Sequence, residues 1–167
     1  MPSLAGSFLI ARPTLTDGFF HRTVILLLQH GPDGAFGLVL NRPQKQSGQP
    51  FPIHIGGPCK FQGVILLHGQ EDWVEEKERH ASQICPGVYL GDSESMKRLT
   101  DEEEPPVQGK YRVFAGYSGW GPGQLDSELA QGAWAVVRGG AKEVFDIPTD
   151  ELWLRMCPSP IPQPSLN

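Results

Sequence analysis

Four glycines fall within the eight residues Gly116-Tyr117-Ser118-Gly119-Trp120-Gly121-Pro122-Gly123, directly after the largely apolar run Tyr111-Arg112-Val113-Phe114-Ala115. A strand feeding such a turn, with a helix beginning at Gln124, would aim main-chain N–H groups into the turn. That arrangement suits a carboxylate or another anion. The same residues also serve as a tight corner with Trp120 in the core, and the two readings are compatible. The glycines, Gly119 included, are expected in conformations closed to other residues. Tyr117, Gly119, Trp120, Gly123, Gln124 and Glu128 are accordingly candidate ligand-binding residues. Ser118 invites a hydrolase reading, but the nucleophile elbow G-x-S-x-G needs glycine where Trp120 stands. An activated serine also needs a base within reach, so no catalytic residue is assigned.

Asn41-Arg42-Pro43 ends a second apolar run, and a guanidinium held there offers a fork to a carboxylate or phosphate. Pairing of Arg42 with Glu128 or another acid is the equal alternative. Asn41, Arg42 and Gly57, in the sharp turn Gly56-Gly57-Pro58, complete the candidate groove. His30 and His68 each follow a leucine-rich run; on neighbouring strands they would share a metal or a proton. Two histidines make an incomplete ligand set, so neither a metal nor a cofactor is assigned. Caps on strand ends are the plainer role. His21, His54 and His80 are expected at the surface.

Cys59, Cys85 and Cys157 are odd in number and widely spaced, so they read as reduced thiols rather than as a disulfide framework or a zinc site. With 39% apolar and 20% charged residues, the 167-residue chain is neither a disordered acidic chain nor a membrane protein. Its longest apolar run, Val24 to Leu28, is far short of the roughly 18–20 residues of a membrane span. No signal peptide is readable at Met1 to Gly6, and a cytoplasmic location is expected. A net charge of -5 and an acidic run from Asp101 to Glu104 oppose nucleic-acid binding.

Strands are expected over Ser7–Ala11, Thr23–Gln29, Phe36–Leu40, Gly63–Leu67, Val88–Leu90, Tyr111–Ala115 and Trp134–Val137. A loop of about four residues around Pro32 joins the second and third as a hairpin. Helices are expected from a cap at Asp92 or Ser93, over Gln124–Ala130, and after a cap at Thr149-Asp150. Part of the charged stretch 70–83 is expected to be helical. Residues 44–52 and 101–106 read as loops. The strand clusters, followed by short helices between strands, give an α+β class. Residues 1–157 form one domain, and 158–167, with four prolines, form a disordered tail.

Gly116 to Leu125 with Glu128 and Trp134, Phe19 to Pro43, Gly56-Gly57-Pro58 and Leu67-His68 together resemble the AlgH/YqgE family of bacterial proteins. The resemblance spans roughly residues 5–155. It implies a single α+β domain, a mixed or antiparallel sheet with a small barrel-like core surrounded by short helices. It implies no established activity, only a transcriptional-regulator label that the charge disfavours. Two departures stand out: the segment 44–55 is shorter and richer in proline than the family's helix-containing one, and Ser118 stands where a small residue such as alanine is more common. The resulting expectation is a non-enzymatic binding or regulatory protein with a small-molecule or protein partner at the glycine-rich groove. A small enzyme using His30 or His68 is the alternative.

Overall fold

A computed structural model describes residues 2–15, 18–44, 51–100 and 110–158. In these residues ten strands, β1 (Phe8–Ala11), β2 (Val24–Gly31), β3 (Gly34–Val39), β4 (Ile53–Ile55), β5 (Ile65–His68), β6 (Gln83–Cys85), β7 (Val88–Leu90), β8 (Tyr111–Ala115), β9 (Ser118–Trp120) and β10 (Trp134–Val137), build the frame. They form two five-stranded sheets, β10-β1-β2-β3-β9 and β4-β8-β5-β7-β6. Every pairing is antiparallel except β4 with β8. The α+β fold is thus the expected one, with its strands in two sheets and no closed barrel among the described residues.

Continuous apolar runs form β1 and β2 because both faces of the first sheet are covered. Phe8, Ile10, Val24, Leu26 and Leu38 face a core shared with Leu67, Val88 and Phe114 of the second sheet. Alternate residues Leu9, Ala11, Ile25, Leu27 and Val39 face a separate cluster with Trp120, Leu125 and Trp134. Among the described residues four α-helices complete the frame: α1 (Arg79–Ser82), α2 (Ser93–Leu99), α3 (Gln124–Ala130) and α4 (Thr149–Met156). Helix α3 covers the outer face of the first sheet through Leu125 and Leu129, and α2 covers the second through Met96 and Leu99. A wide turn over Lys142–Asp146 and helix α4 close the shared core with Val144, Phe145, Leu152 and Trp153.

Several local readings change. The hairpin pairs Gly31 with Gly34, so its loop holds two residues rather than about four, and a bulge between Leu27 and Gln29 absorbs the difference. The cap of α2 is Asp92, whose carboxylate accepts the Ser95 N–H at 2.9 Å. Helix α4 is entered from Pro148 with no side-chain cap, so Thr149 is its first residue, not its cap. Of the four three-residue strands, β7 lies where it is expected, whereas β4, β6 and β9 are additional, each too short to show a period. The expected loop and tail fall largely outside the described residues, in 45–50, 101–109 and 159–167.

Candidate functional site

The glycine-rich segment is the seam between the two sheets. Gly116, at φ 74°, turns the chain out of β8. Tyr117 then exchanges main-chain hydrogen bonds with Cys59 at 3.0 and 3.1 Å, and β9 adds to the edge of the first sheet. Gly57 lies so close that a Cβ would stand 2.1 Å from the Tyr117 carbonyl. Gly56 holds both sides: its N–H donates to Ala115 O and its carbonyl accepts Val39 N–H, each at 2.8 Å. Ser118 is 0% exposed and donates to the same carbonyl at 3.0 Å, which keeps its hydroxyl away from any substrate. Gly119 has ordinary φ and is exposed; among the turn's four glycines only Gly116 and Gly123 take positive φ.

Beyond β9 the polar groups serve one another. Glu128 Oε1 accepts both indole N–H groups, from Trp120 at 3.1 Å and Trp134 at 2.9 Å. Its other oxygen accepts Gln124 Nε2 at 3.1 Å, and Gln124 Oε1 in turn accepts Gly121 N–H at 3.0 Å. Trp120, Gln124 and Glu128 are therefore brought together, and Gly57 meets Tyr117. Asn41 and Arg42 are elsewhere. Trp120 is opposite Ala35, seven residues before Arg42, roughly 20 Å away at about 3.3 Å per extended residue.

Asn41 is buried and fastens the start of β2, accepting Val24 N–H at 3.0 Å and donating to Arg22 O at 2.9 Å. The Arg42 guanidinium donates to the carbonyls of Asn41 and His21, so the expected pair with Glu128 does not form. His30 and His68 stand on strands of different sheets and share nothing. Both nitrogens of His30 are used: Leu4 N–H donates to Nδ1 at 2.9 Å, which leaves Nε2 to donate to Asp126 at 2.9 Å. His68 is 0% exposed, accepts Gln70 N–H at Nδ1 and packs between Trp73 and Tyr89. No group of three or more metal-ligating side chains occurs among the described residues.

His54, expected at the surface, is 7% exposed. It lies between Ile53 and Ile55 on β4, and parallel pairing sets it beside Phe114 on the face of the shared core. Arg112, two residues before Phe114, shares that face. It donates to Tyr111 O at 2.9 Å and to Phe145 O at 2.8 Å, and no carboxylate lies within 4.0 Å among the described residues. The two residues wall a cavity of about 440 Å³ with Pro52, Tyr111, Pro148, Thr149 and Asp150, at the start of α4. Burial, with the Arg112 charge adding to it, pushes the His54 imidazole down to about 4, so it is neutral at pH 7. Its Nδ1 is buried without a hydrogen-bond partner. Desolvation also lowers Arg112, against the opposing pull of Asp146 and Tyr111. The sequence signal was there but unread: one polar residue inside each of two short apolar strands, Ile-His-Ile and Tyr-Arg-Val-Phe-Ala.

A larger cleft, about 580 Å³, opens beside His68 and is lined by Trp73, Asp72, Asp92, Arg98 and other charged residues. Another, about 370 Å³, lies between the hairpin 31–34 and Trp120.

The sequence model of the AlgH-like family matches residues 8–159. The chain belongs to that family. AlgH-like relatives include a UPF0301 protein of Chlamydia muridarum, 34% identical over 160 residues, covering 89% of this chain and 82% of the relative. A UPF0301 protein of Streptomyces coelicolor is 36% identical over 166 residues, covering 90% and 83%. The solution structure of the AlgH protein from Pseudomonas aeruginosa superposes with a TM-score of 0.68 at 27% identity, over 89% of this chain and 84% of that one. The AlgH-like fold of the relatives is thus the fold of this chain, and none of their names carries an activity.

Proposed function

We propose that this AlgH-like chain is a non-enzymatic binding protein that holds a small oxyanion-bearing ligand, a carboxylate or phosphate, in the His54–Arg112 cavity. The observation that carries the reading is Arg112, a half-buried guanidinium on a cavity wall, bonded to carbonyls and unneutralised by any carboxylate within 4.0 Å among the described residues. A desolvated cation of this kind gains from an anion far more than a solvated one does. The first-turn amides of α4 favour the same charge. The cavity size falls in the range of small-molecule sites. Neither Ser118 nor His30 is free to act on a substrate, which supports binding over hydrolysis. The glycine-rich turn enters as scaffold, since Gly116 fixes the end of the strand that carries Arg112. Three free cysteines support a cytoplasmic setting.

The test is a titration with sodium phosphate and with sodium acetate at constant ionic strength, followed by amide chemical shifts. Saturable shifts centred on 52–54, 111–112 and 148–150, abolished in Arg112→Gln, are expected. Shifts absent there, or equal in the variant, would overturn the reading.

A further inference from the structure

The cavity carries two opposite charges that do not meet. Arg112 stands on the sheet side and Asp150, in the first turn of α4, on the helix side. Among the described residues neither makes an ion pair. Their separation therefore exceeds 4.0 Å, although both border one cavity. An anion alone would meet Arg112 and be repelled by Asp150; a cation alone would suffer the reverse. Between the two, the lining is mostly apolar, made by Pro52, Tyr111 and Pro148. His54 adds no charge at pH 7, and its buried Nδ1 lacks a partner.

On this arrangement, and resting on the binding reading above, we infer that the ligand is a small zwitterion of the α-amino acid type with an apolar side chain. The carboxylate docks on the Arg112 fork, and the ammonium turns to Asp150 with the Thr149 hydroxyl beside it. Adjacent charges of opposite sign on one carbon suit two protein charges set apart across a gap. The side chain lies against the two prolines and Tyr111. The Asp146 charge acts on Arg112 in the same sense as a ligand carboxylate, favouring the charged guanidinium against desolvation.

Three matched probes separate the possibilities: L-phenylalanine, 3-phenylpropanoate, which lacks the amine, and 2-phenylethylamine, which lacks the carboxylate. L-Leucine serves as a second side chain. Binding is measured by calorimetry at pH 7 on the full chain. One amino acid at least should bind about tenfold tighter than its singly charged analogues, the worth of one charged hydrogen bond. Asp150→Asn should remove that preference, weakening L-phenylalanine while 3-phenylpropanoate, relieved of the Asp150 charge, binds at least as tightly as before. Arg112→Gln should weaken all carboxylates, and Arg112→Lys, which keeps the charge, should restore part of the binding if Gln disturbs the fold. If 3-phenylpropanoate binds as well as L-phenylalanine, the zwitterion is wrong and the oxyanion site stands. If no probe binds and phosphate does not either, both readings fall.

Discussion

Glu128 illustrates how a residue chosen for chemistry is consumed by architecture. One carboxylate oxygen takes two indole N–H groups, at 3.1 and 2.9 Å, and both indoles are buried. Leaving a buried donor unpaired costs about 1–3 kcal/mol. Glu128→Ala should therefore destabilise the fold by roughly 2–6 kcal/mol for the two donors together. Glu128→Gln, which keeps a carbonyl oxygen, should cost clearly less. Denaturant melts followed by tryptophan fluorescence measure both, and equal losses would show that charge rather than acceptance matters. Ser118→Ala should be close to silent, within about 1 kcal/mol, because the Gly56 carbonyl keeps Val39 N–H when the hydroxyl goes. The residue scale was only partly legible in the sequence. Clustering of Trp120, Gln124 and Glu128 followed from helical spacing after a strand; the position of Arg42 depended on sheet register, which no local pattern encodes.

At the scale of elements, the turn from Gly116 to Gly123 is a strand between two turns, so its glycines are not alike. Gly116 is at φ 74°, and a Cβ there would stand 2.7 Å from the Gly57 carbonyl oxygen. Gly119 has neither a positive φ nor a main-chain neighbour in the way; its added Cβ would meet the Tyr117 ring at 3.3 Å. Gly116→Ala should lower the melting temperature sharply, by strain of roughly 1–2 kcal/mol plus displacement of the seam. Gly119→Ala should cost under about 1 kcal/mol, against the expectation that every glycine here is locked. Calorimetric melts of the pair decide it, and the reverse order would mean that β9 does not pair with β3. Long apolar runs such as β2 were readable because burial on both faces leaves a continuous signal. Of the four three-residue strands only β7 was read; β4, β6 and β9 were not, since three residues fit either period. His54 was lost with them: the strand that carries it went unrecognised, so the isoleucines on either side were not read as a sign of burial.

The whole molecule buries two imidazoles, His54 and His68, on strands of one sheet, and its stability should record that. Burial first, and the neighbouring Arg112 charge second, bring His54 to about 4, against an ordinary 6.5. Burial lowers His68 as well, opposed by Asp92 and Asp72. A depressed imidazole means that the unfolded chain takes up the proton before the fold does, so stability rises with pH across the window between the two values. Above about pH 6.5 both states hold a neutral His54 and its effect is constant. From there down to about pH 4 the fold loses on the order of 3 kcal/mol on account of His54 alone, and more with His68. Below that range His54 is protonated in both states and the slope passes to carboxylates such as Asp92, held below its usual 3.8 chiefly by the Ser95 N–H. Urea melts from pH 7.5 to 4.5 should show a falling midpoint with no change in slope against denaturant. His54→Leu should flatten most of the fall, whereas His80→Gln, at an exposed position, should leave the wild-type profile in place. A wild-type midpoint that holds constant down to pH 4.5 would mean that His54 accepts its proton in the folded protein. The wall of the Arg112 cavity would then be wet and charged rather than dry and neutral.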